Sequence, residues 1–177
     1  MDEALEGSPV HTRQHGFRPD RSTETAISNM MNYVEKFVFN RRHCLGLFLD
    51  ISSAFDTIKP EFIRKQLLKH GGDGQMVEWY FNYLTHRDLF FDIQGYKTSR
   101  TVDRGFPQGG VCSAKFWIVA FNEALILINQ GSFFGNGFAD DLGTVIGGFR
   151  LDLMMKQAHT SGQAGVMGNQ LWTHLQR

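Results

Sequence analysis

Three aspartates are the residues of this sequence best suited to chemistry. Asp140 and Asp141 are adjacent in the stretch FADDLGT, and Asp50 ends the apolar run CLGLFLD. Neighbouring carboxylates repel each other, so this pair needs a positive partner. Neither a histidine nor a cysteine cluster accompanies the three aspartates, and hard carboxylate oxygens are the ligands that Mg²⁺ prefers. The sequence therefore predicts a Mg²⁺ site, provided that the fold brings the three carboxylates together.

Composition describes a folded protein without strong overall charge. The chain has 177 residues, of which 42% are hydrophobic and 13% aromatic, which is enough for one packed domain. Lys and Arg number 18, as do Asp and Glu, so net charge neither requires nor excludes a nucleic-acid partner. Cys44 and Cys112 lack the spacing of a disulfide framework or a zinc cluster, and no apolar run is long enough to span a membrane. We therefore expect an intracellular protein, nuclear or cytoplasmic, without a membrane segment.

In the first half of the chain, Asp50 is expected to lie at the end of a strand. A helix capped by Asp20 or Ser22 precedes CLGLFLD, whose continuous apolar run predicts a strand buried on both faces. Two further helices are predicted for PEFIRKQLLKHGG and QMVEWYFNYL, the second with heavy aromatic burial.

In the second half of the chain, Asp140 and Asp141 are expected to lie near the turn of a hairpin. DLFFDIQGYKTSRTV predicts a strand pair that turns at Gln94 and Gly95, and AKFWIVAFNEALILIN predicts a core helix. GSFFGNGFADDLGTVIGG predicts a hairpin with ADD near its turn. Helices combined with antiparallel strands predict an α+β fold.

Four blocks of the sequence, in order, resemble those of a reverse transcriptase from a non-LTR (LINE-type) retrotransposon. QHGFRPDRST at 14–23 is similar to the Q-x-G-F-R block, LFLDISSAFDTI at 47–58 to palm motif A, RGFPQGGVCSAKFW at 104–117 to motif B, and FADD at 138–141 to motif C. A bare DD occurs by chance in many chains, whereas four ordered blocks are specific. The resemblance implies a polymerase palm, an antiparallel sheet backed by helices, with part of the fingers and without a thumb.

The resemblance also implies roles for the aspartates. In an RNA-directed DNA polymerase, which is a nucleotidyltransferase, Asp50 and Asp140 would hold two Mg²⁺ ions, with Mn²⁺ as an alternative metal, against the primer 3′-hydroxyl and the incoming triphosphate. Asp141 would assist them. The implied partners are an RNA template, a DNA primer and deoxynucleoside triphosphates.

Further site residues follow from the same resemblance. Phe55, five residues after Asp50, matches the aromatic position that packs under the deoxyribose and excludes a 2′-hydroxyl. The remaining implied nucleotide contacts are Ile51, Pro107, Gln108 and Gly109. Arg18 is expected to contact template phosphate, with a capping or salt-bridge role in the fold as the equal alternative.

The expected boundaries are an irregular segment at 1–13, a partial reverse transcriptase domain of fingers and palm at 14–150, and a degenerate or poorly ordered segment at 151–177. Because a basic fingers block and a thumb have no clear counterpart, we expect missing fingers, thumb or endonuclease segments in a larger polyprotein, and little activity from this chain alone. Two alternatives stay open. One is a decayed or repurposed palm that binds nucleic acid or protein without turnover, and the other is a viral RNA-dependent RNA polymerase palm, whose spaced motif A aspartates Asp50 and Asp56 also match.

Overall fold

Helices and antiparallel strands are mixed along the chain, which confirms the predicted α+β fold. The computed structural model describes residues 10–51 and 53–162. In chain order, these contain α1 (Thr23–Phe39), β1 (His43–Asp50), α2 (Ala54–Thr57), α3 (Pro60–Lys69), α4 (Gly74–Thr85), β2 (Arg87–Ile93), β3 (Tyr96–Val102), α5 (Ser113–Gln130), β4 (Phe134–Phe138), β5 (Asp141–Gly148) and α6 (Leu151–Gly162). Of the helices in this part of the chain, none is long and apolar enough to cross a membrane.

The central sheet brings the N-terminal and C-terminal halves of the chain together. Its three strands in the described residues are antiparallel and lie in the order β1-β5-β4. The outer edge of β4 is covered by the segment before α1, because the amide of His15 donates to the carbonyl of Gly137 at 2.8 Å and the amide of Gly137 donates to the carbonyl of Arg13 at 2.9 Å. The sheet therefore joins the Q-x-G-F-R block to the strands that carry the aspartates.

Helices cover both faces of the sheet. On one face α5 packs so closely that a Cβ added to Gly137 would lie 2.4 Å from the ring of Phe121. On the other face α1 is held by Tyr33, which stacks on Phe134 with ring centroids 4.2 Å apart. The core lies along α5, where Phe116, Trp117, Val119, Ala120 and Leu125 are fully buried.

Local sequence signals explain where several elements begin and turn. Ser22 caps α1 through a capping box with Thr25, as predicted, and Pro60 stands in the first turn of α3. The predicted hairpin β2–β3 turns at Gln94 and Gly95, whose φ angles are 52° and 85°. Two central residues with positive φ match the twist of a tight hairpin.

Two burial predictions are wrong. β1 was expected to be buried on both faces, but it is an edge strand, and Phe48 is 73% exposed. Heavy aromatic burial was expected in α4, but Tyr80 is buried while Trp79 is 59% exposed and Tyr83 is also exposed. Both elements lie at the periphery, so one side of each reaches solvent whatever its composition.

The segment after residue 150 begins with a helix. Residues 151–162 form α6, at the start of the segment that was predicted to be degenerate or poorly ordered. Met154 is buried, and its sulfur would lie 3.1 Å from a Cβ added to Gly148 at the end of β5. The remainder of the predicted C-terminal segment and most of the predicted N-terminal one lie outside the described residues, so the domain boundaries stay predictions.

Candidate functional site

The turn between β4 and β5 carries the aspartate pair, as predicted. Phe138 and Asp141 are strand partners, which leaves Ala139 and Asp140 as the two turn residues. Ala139 has a φ of 53°, in the left-handed region that glycine or asparagine usually occupies at this position of a hairpin. Such a backbone conformation costs an alanine about 1–2 kcal/mol. The turn that presents Asp140 is therefore locally strained.

The sheet register brings Asp50 to the aspartate pair. Asp50 and Asp141 are directly opposite each other across β1 and β5, so their side chains start from the same face of the sheet. Asp140 follows one residue away in the turn and is half-buried, while Asp50 and Asp141 are exposed. In the described part of the chain, none of the three carboxylates has a hydrogen bond or an ion pair.

The three carboxylates match a divalent cation in chemistry, but they do not form a finished cage. Residues 10–51 and 53–162 contain no group of three or more His, Cys, Asp or Glu side chains that could hold a metal ion. Mg²⁺ is commonly held by one or two carboxylates, with water and substrate phosphates completing its shell. An unpaired Asp50 opposite Asp141, with Asp140 alongside, fits that kind of open site.

A cavity of about 510 Å³ lies next to the turn. Its lining comes from all four sequence blocks and consists of Phe17, Ser53, Phe55, Gln108, Gly109, Gly110, Ser113, Ala114 and Asp140. Cavities of roughly 300–1,000 Å³ are typical of small-molecule sites. Four of the lining residues were predicted site residues. The other five were missed as individuals, although every one stands within or beside a recognised block.

Phe55 forms one wall of this cavity and is fixed by other rings. It stacks on Trp117 with centroids 5.4 Å apart and meets Phe106 edge-on at 5.2 Å. Phe17, from the Q-x-G-F-R block, meets the Phe55 ring edge-on with ring centroids 6.2 Å apart. An aromatic wall with one rigid orientation can reject a substrate group by steric contact. Its role as a sugar gate stays a prediction.

The motif B loop is tied to motif A by backbone hydrogen bonds. The amide of Gly105 donates to the carbonyl of Ile58 at 2.7 Å, and the amide of Phe106 donates to the carbonyl of Phe55 at 2.9 Å. The side-chain amide of Gln108 donates to Asp56 at 3.4 Å. These contacts set Gln108 and the following glycines at the cavity wall.

Two of the predicted nucleotide contacts lie beside the cavity and do not line it. Ile51, directly after the end of β1, packs against the hydrophobic core. Pro107 is half-buried, and its carbonyl accepts hydrogen bonds from the amide of Gly110 and the hydroxyl of Ser113. The Ile51 side chain therefore contributes to core packing, and the Pro107 carbonyl holds Gly110 and Ser113 of the lining. Direct nucleotide contacts from either residue stay predictions.

Arg18 is engaged with the backbone of its own segment. Its guanidinium donates to the carbonyls of His11 at 3.1 Å and Gln14 at 3.4 Å. Burial, and then the nearby charge of Arg21, lower the pKa of Arg18. These contacts favour the structural alternative for Arg18, and a template contact stays a prediction.

Comparison with known proteins identifies the family of the chain and agrees with its fold. The family described as Reverse transcriptase (RNA-dependent DNA polymerase) matches residues 1–155, and the chain belongs to this family. It is 26% identical over 147 residues to the "Retrovirus-related Pol polyprotein from type-1 retrotransposable element R1" of Bradysia coprophila. It is 29% identical over 108 residues to the "RNA-directed DNA polymerase from mobile element jockey" of Drosophila melanogaster. The resemblance to a non-LTR reverse transcriptase is thereby confirmed.

The matches cover most of this chain but little of the relatives. The R1 match spans 83% of this chain and 14% of that polyprotein, and the jockey match spans 60% of this chain and 12% of that polymerase. Telomerase from Candida tropicalis, solved in complex with a TWJ fragment of telomeric RNA, superposes with a TM-score of 0.70 at 8% identity, over 95% of this chain and 30% of that one. The apo form, truncated from the C-terminal domain, gives 0.67 at 10% identity, over 94% of this chain and 36% of that one. These structures confirm the palm-type fold.

Proposed function

We propose that this chain is the palm of an RNA-directed DNA polymerase, which adds deoxynucleotides to a DNA primer on an RNA template as part of a larger polypeptide. The observation that carries the proposal is a cavity lined by residues of all four blocks, with Asp140 at its wall and Asp50 opposite Asp141 on the adjoining strands. Members of the reverse transcriptase family generally use divalent metals.

Asp50 and Asp140 are the proposed holders of two Mg²⁺ or Mn²⁺ ions, assisted by Asp141. When bound, such ions activate an attacking hydroxyl and stabilise a leaving pyrophosphate. The carboxylates would bind the metal ions at the position of the triphosphate. Without the positive charge of these ions, the carboxylates would repel the negatively charged substrate. Their lack of protein partners in the described residues leaves their oxygens available for this task.

The cavity walls are proposed to select and orient the nucleotide. Phe55 would lie under the sugar and reject a 2′-hydroxyl by contact. Gly109 has a φ of 79° and is exposed, so the backbone there offers a close approach to a ligand. Gln108 would orient the nucleotide from the same loop, with Asp56 fixing its side-chain amide. Ile51 and Pro107 would complete the nucleotide site, and Arg18 would contact the template.

The partners follow from the relatives. The jockey protein is named an RNA-directed DNA polymerase, and the R1 protein is a Pol polyprotein of a retrotransposable element. By analogy, an RNA template, a DNA primer, deoxynucleoside triphosphates and flanking segments of a polyprotein are proposed here, in the nucleus or cytoplasm. With equal numbers of acidic and basic residues, this chain alone has little excess positive charge for phosphate contacts.

The test is primer extension on an RNA template by the chain within its full polypeptide. Asp140→Asn and Asp50→Asn should each abolish Mg²⁺-dependent synthesis. Asp103→Asn is the matched control, because Asp103 is exposed in the loop before motif B and does not line the cavity. Undiminished synthesis by the Asp140→Asn polypeptide would reject the proposed site.

Sugar selection provides a separate test of the cavity wall. Phe55→Val should raise incorporation of ribonucleotides relative to deoxynucleotides in the same assay. An unchanged ratio would reject Phe55 as the gate. A preference for ribonucleotides in the unaltered polypeptide would instead favour an RNA-dependent RNA polymerase.

A non-catalytic palm is the second candidate, because an open arrangement of carboxylates in the described residues is equally compatible with a palm that holds no metal. Such a palm would bind a primed template without extending it, even within the full polypeptide. A binding assay run beside the extension assay separates the two functions, because only the polymerase converts bound primer to product.

A further inference from the structure

The strained turn that presents Asp140 is held on its core side by one hydrogen bond. The indole Nε1–H of Trp117 donates to the carbonyl oxygen of Ala139 at 2.6 Å. Trp117 is fully buried, and its ring stacks on Phe55 at 5.4 Å and on Phe121 at 5.3 Å. That carbonyl belongs to the peptide plane that joins Ala139 to Asp140. The indole therefore fixes the plane from which the Asp140 side chain departs.

The opposite side of the turn is held by the Q-x-G-F-R block. A Cβ added to Gly16 would lie 2.1 Å from the amide nitrogen of Ala139 and 2.9 Å from its Cα. Both atoms are backbone, so the turn would have to move to admit even a methyl group. The neighbouring His15 amide binds the carbonyl of Gly137 at 2.8 Å, which anchors Gly16 beside the turn.

The turn sequence itself gives little support to this conformation. Ala139 adopts a φ of 53°, whereas hairpins with such a turn usually place glycine, asparagine or aspartate there. A strained residue persists only when its surroundings impose the conformation. Gly16 and Trp117 contact Ala139 at its amide and at its carbonyl, respectively, so together they restrain the residue at both ends.

We propose that Trp117 and Gly16 are positioning residues that aim the Asp140 carboxylate toward the site it shares with Asp50 and Asp141. This inference rests on the proposed metal-dependent polymerase function and adds two residues to it. Loss of the indole N–H would let the Ala139–Asp140 peptide rotate, and the oxygens of Asp140 would leave the metal position. The fold would keep its core, because the aromatic ring at 117 supplies the packing.

The experiment compares Mn²⁺ binding by the 177-residue chain and three variants, with thermal unfolding measured on each. Trp117→Phe removes the indole N–H donor and keeps an aromatic ring. Gly16→Ala places a Cβ too close to the Ala139 amide nitrogen and so displaces the turn from its other side. Trp79→Phe is the control, because Trp79 is 59% exposed and stacks on Tyr83 within α4. Loss of an orienting partner typically weakens metal affinity by about 10- to 100-fold. We expect at least the lower value for Trp117→Phe and Gly16→Ala, with no change for Trp79→Phe.

A second readout needs no variant of Trp117. In the unaltered chain, the Trp117 indole N–H should exchange with solvent far more slowly than that of Trp79, and its NMR signal should shift on addition of Mg²⁺. Exchange as fast as that of Trp79, or Mn²⁺ affinity unchanged in a folded Trp117→Phe chain, would overturn the inference.

Asp140→Asn separates failure of this inference from failure of the proposed function. If Asp140→Asn abolishes Mn²⁺ binding while Trp117→Phe and Gly16→Ala leave it intact, the metal site stands and the positioning role is overturned. If Asp140→Asn leaves Mn²⁺ binding intact, the metal site itself is overturned, and the positioning role falls with it.

Discussion

Helix α5 and the hairpin β2–β3 both carry several large apolar side chains, but these lie in opposite environments. Along α5 the aromatic and aliphatic side chains are mostly buried, whereas the hairpin exposes Leu89, Phe90, Phe91, Ile93 and Tyr96. The helix lies against the sheet on one side and α3 on the other. In the described residues, the strands of the hairpin pair only with each other. Burial therefore depends on whether a second layer is present, and composition alone does not decide it.

Helix α5 and the hairpin also differ in their relation to the candidate site: α5 contributes residues to it, and the hairpin does not. Trp117, Ser113 and Ala114 come from the first turns of α5 and contact the turn or the cavity. No residue of the hairpin lines that cavity. Substitutions along α5 should consequently affect stability strongly, and substitutions on the hairpin weakly.

The largest effect is expected from a cavity in the buried region. Leu125→Ala should lower the free energy of unfolding by about 2–5 kcal/mol, since the side chain is fully buried against the sheet and nothing can refill its space. Leu127→Ala on the same helix is the control. Its side chain is 39% exposed, and we expect a loss of about 0.5 kcal/mol. Denaturant unfolding measures both, and equal losses would contradict the assignment of α5 to the core.

A smaller effect is expected where α5 meets the sheet. Gly137→Ala would place its Cβ 2.4 Å from the buried ring of Phe121, so overpacking should lower the free energy of unfolding by about 1–3 kcal/mol. Gly46→Ala on the edge strand is the matched change, because its Cβ would lie 3.4 Å from the exposed ring of Phe48. Unfolding measurements should show that Gly46→Ala is neutral or stabilising by up to about 1 kcal/mol.

The sequence predicted most elements, because periodicity and turn residues are local signals. That Asp50 lies near Asp141 was expected from the order of the four blocks and their resemblance to a known family, and the strand register agrees. The sequence could not predict that β1 lies at the sheet edge, since strand order depends on which segments pair across almost a hundred residues. For the same reason it missed the contacts of Ala139 with Trp117 and Gly16, which are 22 and 123 positions away along the chain. The sequence blocks were enough to predict candidate residues for the site. The contacts that hold those residues in place could be identified only from the fold.

The free energy of unfolding is expected to depend on pH through His15, which is buried in the segment that pairs with β4. The hairpin β2–β3 contains no histidine and should not contribute to this dependence. Burial, then the charges of Arg21 and Arg18, lower the pKa of His15. The unfolded chain therefore binds this proton more readily than the folded chain does. The contribution of His15 to stability is complete above the unfolded pKa of about 6.5 and is lost as pH falls from there toward the lower folded pKa.

The measurement is the free energy of unfolding between pH 7.5 and 5. One histidine contributes a slope of at most about 1.4 kcal/mol per pH unit. His15→Gln should flatten the decline, although His11 and His70, whose pKa values are also lowered mainly by burial, should preserve part of it.

The smallest effect is expected on the hairpin itself. Phe90 is 80% exposed and stands opposite Ser99 in the β2–β3 register, so Phe90→Ser removes an aromatic ring that packs little of its surface. The free energy of unfolding should change by no more than about 0.5 kcal/mol, and binding of a hydrophobic dye should fall. Phe116→Ala, which truncates a fully buried ring of α5, should instead cost about 3–5 kcal/mol. A loss above about 1.5 kcal/mol for Phe90→Ser would mean that the ring is covered in solution, and the contrast between the two regions would then reflect a missing layer and not a solvent-facing hairpin.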